Sequence, residues 1–306
     1  TPGDSAVSIR PVKQVIEAKP TIEGAGVHLR RAFGFGSTKE FDPFLLFDDF
    51  RNESPEDYLA GFPWHPHRGI ETITYVLAGE VNHGDSLGNK GTLGAGDIQW
   101  MTAGSGILHQ EMPRGDPQGR MHGFQLWANL PAALKMTPPR YQDVGSRDIP
   151  EITDDDGTKV RVIVGDFWGR KGPVEGIAAD PRYLDVWVPP RRRKTLPVET
   201  ESHGFAYIFE GSGSFRDASA PQKPVTDYVG PTGALTGGEE LANRSLVLFD
   251  RGDEVTVQAG ERGIRFLLVS GRPLQEPVAW YGPIVMNTPE ELRQAYDELK
   301  QGTFIK

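Results

Sequence analysis

Residues 64–69 read Trp-His-Pro-His-Arg-Gly, and residues 106–111 read Gly-Ile-Leu-His-Gln-Glu. Side chains two residues apart on a β-strand point to the same face. His65 and His67 therefore aim two imidazoles in one direction, and His109 and Glu111 aim an imidazole and a carboxylate. If the two strands face each other, these four groups converge on one point, as a ligand set suited to a transition-metal ion.

Short strands separated by glycine turns surround both stretches. Residues 70–76 are β-branched and aromatic in near alternation, which favours a strand, and glycine turns at 94–97 and 104–106 precede further strands. The second half repeats the pattern, since residues 207–211 (Tyr-Ile-Phe-Glu-Gly) resemble residues 75–79 (Tyr-Val-Leu-Ala-Gly). Many short strands, twice over, predict an all-β fold of two tandem barrels or jelly rolls.

The length of 306 residues favours two domains. A polar, turn-rich stretch at 143–158 is the predicted linker, between a metal-binding barrel at 1–142 and a metal-free barrel at 159–306. Residues 216–244 are rich in Gly, Pro, Ala and Thr, and we interpret them as a surface loop inserted in the second barrel.

One helix is expected near the end of the chain. Residues 288–291 (Thr-Pro-Glu-Glu) supply an N-cap, a proline at the first helical position and a capping-box glutamate. Apolar residues then recur at helical spacing until Gly302, which stops a helix. The sequence therefore predicts a helix over 289–301 and little other helix.

Composition limits the classes of partner. The formal net charge of −9 argues against direct binding to nucleic acid or anionic membranes. The basic run at 191–194 is interpreted as a solvated turn. The chain has no cysteine, which excludes disulfides and thiolate metal sites, and no apolar run approaches the roughly 20 residues of a membrane span. Without a signal-peptide pattern at the start, a cytoplasmic location is expected.

A lone His-x-His is a modest signal, because histidines also serve as hydrogen-bonded core residues. Here the second pair, His109 and Glu111, has the same i, i+2 spacing as the first. Both pairs also lie among regularly placed glycines: Gly61-x3-His65-x-His67-x3-Glu71 leading to Gly79, then Gly96-x5-Thr102-x-Gly104-x4-His109. This frame resembles the two motifs of the cupin superfamily, small β-barrels that hold a metal inside. It departs from them in a shorter first spacer and in Thr102, where proline is usual.

Longer stretches resemble the pirin family more closely: 62–72, 96–109, 111–113, 122–127 and 276–283 with 287–288. The resemblance implies a bicupin whose N-terminal barrel holds iron through His65, His67, His109 and Glu111. Residues 191–194 and 216–244 are not part of this pattern.

The donor set by itself leaves the metal open. Imidazole and carboxylate without thiolate suit Fe, Mn, Co, Ni or Cu. The resemblance implies Fe²⁺. Four protein ligands would leave about two positions of an octahedral ion open to O2 or substrate.

Other candidate residues are weighed against structural roles. Glu71 occupies the position where many cupins have a carboxylate ligand, but the pirin resemblance assigns that role to Glu111, so Glu71 is expected beside the ligands. His83 and His122 are expected to be structural. His203 is the only histidine of the second half and has no His-x-His partner, so no metal is expected there.

A substrate pocket is harder to place. Gln125 belongs to the pirin-like stretch 122–127 and is a candidate to orient a ligand or water. Trp100, Phe44 and Phe47 are candidates for an aromatic pocket, although barrel cores contain such residues anyway.

The resemblance implies cleavage of a flavonol-like aromatic enol by O2, as in quercetin 2,3-dioxygenases, with Glu111 as the proton acceptor. The alternative is a non-enzymatic, redox-sensitive regulatory protein that acts through a protein partner.

Overall fold

The computed structural model describes residues 7–175, 177–215 and 240–306, which form two compact units. The unit that we call the N-terminal barrel comprises Ala18–Ile149, Pro173–Asp180 and Pro273–Lys306. The unit that we call the C-terminal barrel comprises Thr1–Glu17, Pro150–Gly172 and Pro181–Arg272. The predicted linker contains the division at Ile149/Pro150, whereas the structure groups each chain terminus with the opposite barrel from the predicted one. Composition marks a linker, but it does not show which sheet a terminal strand joins.

The strands in chain order are β1 (Val12–Glu17), β2 (Lys19–Glu23), β3 (Val27–Phe33), β4 (Phe44–Asp49), β5 (Phe62–His67), β6 (Ile70–Ala78), β7 (Glu80–Asp85), β8 (Lys90–Leu93), β9 (Ile98–Thr102), β10 (Ile107–Arg114), β11 (His122–Asn129), β12 (Arg140–Val144), β13 (Glu151–Thr153), β14 (Lys159–Val164), β15 (Asp166–Phe167), β16 (Arg170–Lys171), β17 (Arg182–Val188), β18 (Arg193–Pro197), β19 (His203–Phe215), β20 (Leu241–Ala242), β21 (Ser245–Phe249), β22 (Glu254–Gly271), β23 (Ala279–Tyr281) and β24 (Ile284–Met286). The helices are α1 (Thr38–Phe41) and α2 (Pro289–Gln301), with 3-10 turns at Pro55–Asp57, Ala132–Leu134 and Ser146–Asp148.

The N-terminal barrel has a seven-stranded sheet in the order β12-β9-β6-β11-β4-β3-β2 and a four-stranded sheet in the order β5-β10-β7-β8. A row of polar residues crosses five strands of the larger sheet in direct register: Arg31, Asp48, Gln125, Thr74 and Gln99. Cross-strand partners share a face of the sheet. The row therefore forms a polar belt on one face of this sheet.

The C-terminal barrel is built on a nine-stranded sheet around the long strands β19 and β22. The register between β19 and β22 shifts at two places. Strand β22 pairs with β18 along its first part and with β17 along its second. The main buried cluster of this barrel is apolar and draws on residues from Val160 to Leu268, with a few buried polar side chains such as Asp185 and Thr256 in the same unit. Apolar burial, about 25 cal/mol per Å², is therefore the main force that holds this unit together.

The predicted C-terminal helix is confirmed as α2 over the same residues. The Thr288 side chain accepts from the Glu291 N–H, the Glu291 carboxylate accepts in return, and Gly302 ends the helix in the left-handed conformation at φ 72°. The all-β prediction is also confirmed. Within the described ranges, no helix has the length and apolar character needed to cross a membrane. Of the loop predicted at 216–244, residues 216–239 lie outside the described residues.

Candidate metal centre

The two ligand-type pairs lie side by side in one sheet. Strand β5 pairs antiparallel with β10, and His65 is the direct partner of His109. The register shifts between His109 and Glu111, so that Glu111 lies opposite Phe62. The convergence expected from two facing strands thus arises between hydrogen-bonded neighbours, and the shift re-aims the carboxylate relative to the imidazole.

The three imidazoles meet closely. Their ligand atoms lie within 4.8 Å of one another. The Nε2 atoms of His65 and His67 are 3.1 Å apart, and the ring centroids of His65 and His109 are 4.4 Å apart. Such a spacing of basic nitrogens is unfavourable unless a cation or a proton lies between them.

Backbone carbonyls orient two of the rings. His65 Nδ1 lies 2.8 Å from the Pro63 carbonyl oxygen, and His67 Nδ1 lies 3.1 Å from that of Pro283. A ring N–H that donates to a carbonyl leaves the Nε2 lone pair for a metal, as is usual for metal-binding histidines. His109 is buried, and both of its ring nitrogens are without a hydrogen-bond partner.

Burial favours the neutral form of two of these imidazoles, His67 and His109. Burial lowers the pKa of His67 well below its usual value, and the neighbouring His65 and His109 lower it further. Burial likewise lowers the pKa of His109, assisted by His65 and His83. Neutral imidazole is the form that binds metals. The orphaned nitrogens of His109 and the facing Nε2 atoms therefore fit a divalent cation.

The Glu111 carboxylate borders the cluster. Its Oε2 lies 3.8 Å from His109 Nε2, and its Oε1 accepts from Gln125 Nε2 at 3.1 Å and from Thr74 Oγ1 at 3.3 Å. Trp127 Nε1 donates to Gln125 Oε1 at 3.2 Å and thereby fixes the amide orientation. Two side chains of the polar belt thus hold the carboxylate beside the imidazoles.

The C-terminal segment 273–306 contacts Arg68, the residue that follows His67. The Arg68 guanidinium is buried and donates to the carbonyls of Ser105 at 2.6 Å and Phe304 at 2.8 Å. It also forms an ion pair with Glu298 at 2.7 Å. The Val285 N–H donates to the Arg68 carbonyl at 3.1 Å. Arg68, which lies between His67 and Gly69, therefore anchors the segment that presents the Pro283 carbonyl to His67.

The adjacent Gly69 allows this close approach. Its φ is +79°, and an added Cβ would lie 1.9 Å from the Val285 carbonyl oxygen. Lys135 bridges the two residues, because its buried ammonium donates to the carbonyls of Gly69 at 2.8 Å and Val285 at 2.9 Å. Burial lowers the pKa of Lys135 to about 7.

A cavity of about 830 Å³ opens beside the histidines. Its lining residues include Arg31, Phe35, Leu46, Asp48, Phe62, Trp64, His65, His67, Glu111, Gln125, Trp127, Trp280 and Tyr281. Aromatic rings lead from the histidine cluster outwards. Between ring centroids, Trp127 lies 5.2 Å from His67, and Trp280 lies 6.1 Å from Trp127. The ring centroid of the exposed Phe35 lies 5.5 Å from that of Trp280. The cavity thus has polar groups at one end and rings along its wall, features that small-molecule sites share.

Residues 26–128 match the family model described as Pirin, and residues 183–305 match the model described as the Pirin C-terminal cupin domain. The chain belongs to the pirin family. It is 44% identical over 297 residues to a pirin-like protein of Caulobacter vibrioides, an alignment that covers 97% of this chain and 99% of that protein. The expected pirin membership and the expected pair of cupin domains are both confirmed.

Two further similar proteins carry the name of an activity. A Pseudomonas aeruginosa protein provisionally named quercetin 2,3-dioxygenase is 39% identical over 297 residues, or 96% of this chain and 97% of its own length. A crystal structure described as quercetin 2,3-dioxygenase from Acinetobacter baumannii matches with a TM-score of 0.83 and 31% identity. That match covers 97% of this chain and 98% of the Acinetobacter chain.

Of the residues expected at a substrate pocket, Gln125 lines the cavity of this pirin. Phe44, Phe47 and Trp100 are buried, and the described residues that line the cavity do not include them. Leu46 and Asp48 line the cavity from β4, so Phe47 between them points to the opposite face of the strand. Phe44 has the strand parity of Leu46, but the register of β4 against β11 shifts between these two residues. The structure therefore does not place the three aromatic residues in the described wall of the cavity.

Glu71 lies apart from the histidine cluster of the pirin site. Its buried carboxylate accepts from Thr102 Oγ1 at 2.8 Å, and burial raises the pKa of Glu71 to about 7. Thr102 is the residue that replaces the usual cupin proline, and here its hydroxyl serves this glutamate.

The remaining histidines have carboxylate neighbours or lie elsewhere. His83 Nε2 lies 3.6 Å from Asp143 Oδ2, and His122 Nε2 lies 3.5 Å from Glu53 Oε1. His203 begins β19 in the C-terminal barrel. No group of three metal-ligand side chains occurs in the part of that barrel that the structure describes.

Sequence reasoning missed two parts of the site. Asp48 faces the cavity and accepts from Arg31 Nε at 2.7 Å and Nη2 at 2.8 Å. Burial raises the pKa of Asp48 to about 6, although Arg31 opposes the shift. The second missed part is the Pro283 carbonyl. Any residue supplies a backbone carbonyl, so only the resemblance of residues 276–283 to pirins pointed to this stretch.

Proposed function

We propose that this pirin is a metal-dependent dioxygenase that cleaves a flavonol-like aromatic enol with O2. Fe²⁺ is the proposed metal, held by His65, His67, His109 and Glu111. The observation that carries the proposal is the cluster of three imidazoles and a carboxylate at one end of an aromatic-lined cavity. The relatives named quercetin 2,3-dioxygenase support the substrate class.

The cavity provides the binding step. A volume of about 830 Å³ lies within the usual range for small-molecule sites, and its aromatic wall suits a planar ring system. Trp127 and Trp280 offer ring faces and edges between the ligands and the surface. Stacking on such residues is worth about 0.5–1.5 kcal/mol per pair beyond area burial.

Glu111 provides the proton-transfer step. Its Oε1 is engaged by Gln125 and Thr74, whereas its Oε2 lies on the side of His109. A substrate hydroxyl placed at the histidine cluster would therefore meet Oε2, which takes the proton. The metal, when bound, would lower the pKa of a coordinated hydroxyl and supply redox chemistry towards O2.

The test replaces Glu111 by glutamine, which keeps the size and an oxygen donor but removes the charge and the base. Because three imidazoles remain, the iron-loaded Glu111→Gln protein should retain much of its metal. Its kcat for quercetin should fall by about two to four orders of magnitude, the usual scale for a positioned general base. His203→Ala is the matched control, and it should retain both iron and turnover.

Two outcomes would change the assignment. Loss of iron in parallel with activity in Glu111→Gln would show that Glu111 acts chiefly as a ligand. If the unsubstituted iron form shows neither flavonol loss nor O2 uptake, the enzymatic proposal fails, and a regulatory protein acting through a protein partner takes its place.

A further inference from the structure

Part of the wall of the large cavity is an ion-pair cluster that the proposed proton transfer does not use. Arg31 donates to Asp48 through Nε at 2.7 Å and through Nη2 at 2.8 Å, and to Glu23 through Nη1 at 2.8 Å. All three residues line the cavity. One guanidinium charge (+1) meets two carboxylate charges (−2), so the cluster has a formal net charge of −1.

The register of the sheet places this cluster close to the Glu111 carboxylate. Gln125, which donates to Glu111, is the direct cross-strand partner of Asp48, and Asp48 is the direct partner of Arg31. Because neighbouring strands are about 4.7–4.9 Å apart, Asp48 and Arg31 lie about 5 Å and about 10 Å along the sheet from the strand of Gln125. A planar substrate whose enol lies beside Glu111 therefore extends towards Asp48 with its next ring.

The carboxylates of the cluster keep room for further hydrogen bonds. An ionised carboxylate has about four acceptor positions, and among the described residues each oxygen of Asp48 accepts one bond, both from Arg31. The neighbouring N–H groups are directed at protein oxygens instead, as in the amide of Gln125 and the indoles of Trp127 and Trp280. This part of the wall therefore suits a ligand that donates hydrogen bonds.

Stability alone does not account for this ion pair. Asp48 is only 5% exposed, and the desolvation of two charges offsets much of their attraction in a protein interior. Apolar residues of the same volume often stabilise such a position as well or better. The place of Asp48 on the wall of a small-molecule cavity therefore favours a role in ligand recognition.

We propose that Asp48, assisted by Glu23, determines substrate specificity by accepting hydrogen bonds from hydroxyl groups on the distal ring, the ring that does not carry the enol. This inference rests on the proposed function, because it assumes that the enol lies at the histidine cluster. It narrows the substrate class to aromatic enols with a hydroxylated distal ring. The net negative charge of the cluster disfavours a carboxylate at the same position.

The test compares three flavonols that differ only in the distal ring. Quercetin carries two hydroxyl groups there, galangin carries none, and the 4′-carboxylate analogue of galangin carries an anion. Calorimetry measures their affinity for the iron-loaded, full-length protein under nitrogen, where O2 is absent and no turnover occurs. Quercetin should bind about tenfold more tightly than galangin, the scale of a hydrogen bond to a charged group, and the carboxylate analogue should bind more weakly than galangin.

Three results would overturn the inference: equal affinities for quercetin and galangin, tightest binding of the carboxylate analogue, or no binding of any of the three. Tightest binding of the carboxylate analogue would show that Arg31, rather than Asp48, recognises the distal ring.

A variant assigns the preference to Asp48. Asp48→Asn keeps the size and removes the charge, and it should bring the affinities for quercetin and galangin to within about threefold of each other. Asp185→Asn is the matched control, because Asp185 accepts the same two-point contact from Arg265, at 2.9 Å and 2.7 Å, in the C-terminal barrel. The control should keep the tenfold preference.

A second variant covers a failure of Asp48→Asn to fold. The Glu23 side chain is 41% exposed, so Glu23→Gln should fold, and it should reduce the preference for quercetin in the same direction. An unchanged preference in the folded Asp48→Asn protein, or in Glu23→Gln where it takes that place, would overturn the inference.

Binding and turnover separate this inference from the proposed function. Preferential binding of quercetin without any flavonol turnover by the iron form in air would support the hydroxyl-binding role of Asp48 and sink the dioxygenase. Turnover of quercetin and galangin with equal affinities would do the reverse.

Discussion

Replacing Arg68 by methionine should loosen the C-terminal segment from the metal site. The guanidinium donates to the Ser105 and Phe304 carbonyls, pairs with Glu298 and lies 4.2 Å from the centre of the Phe304 ring. Removing one partner of a buried ion pair costs about 3–5 kcal/mol. We expect about 3 kcal/mol, because Glu298 keeps a second cation, Lys306, at 3.0 Å.

The effect should extend to the metal. The loosened segment carries the Pro283 carbonyl, which accepts from His67, and loss of such a supporting hydrogen bond lowers metal affinity about 10–100-fold. Glu298→Gln is the control, because it removes the carboxylate charge but leaves both carbonyl acceptors of Arg68. It should cost about 1–2 kcal/mol and change metal affinity little.

Urea denaturation of the metal-free proteins measures the stability of both single variants and of the double variant, and competition with a chelator measures metal affinity. The pair should show a coupling energy of about 1–2 kcal/mol. The reasoning is refuted if Arg68→Met stays within about 1 kcal/mol of the parent and binds metal equally well.

Three further outcomes are expected. Because the raised pKa of Glu71, about 7, means that the folded carboxyl keeps its proton between pH 4.5 and 7, the parent loses stability as pH rises through that window. Glu71→Gln should remove this loss. The difference in unfolding free energy between the variant and the parent, measured by urea titration, should shift in favour of the variant by about 3 kcal/mol from pH 4.5 to pH 8. Gly69→Ala should destabilise far more than Gly302→Ala, which has a similar φ and nothing within 4 Å; equal melting temperatures would contradict the clash with Val285. Metal at about 100 times its Kd should stabilise the protein by about 2.7 kcal/mol, and calorimetry should show no such gain in His109→Ala.

Much of the site could be predicted because its information is local. Strand parity selects His65 with His67 and His109 with Glu111, and parity depends only on a backbone period of two residues. The helix at 289–301 was similarly readable from its cap and its apolar spacing. Parity could not show that β5 and β10 are neighbours in one sheet, because pairing depends on how the whole barrel closes.

Where a strand is known but its inward face is not, residue type misleads. Phe47 and Trp100 are aromatic and close to the motifs, yet they are buried and do not line the cavity, whereas Leu46 and Asp48 do. Assigning the face requires the register of β4 against its neighbours, and a shift of one residue would exchange Phe47 with Leu46 and Asp48.

The sequence by itself determined the all-β class, the two cupin domains and the residue types that can bind a metal, since these follow from short-range periodicity and side-chain chemistry. Only the tertiary structure decided which groups surround that chemistry. The Pro283 carbonyl reaches His67 from 216 positions away, and Arg68 binds Glu298 and Phe304 across a similar separation. Such contacts leave no local pattern, because they form only when packing of the complete barrel brings the end of the chain back to its first half.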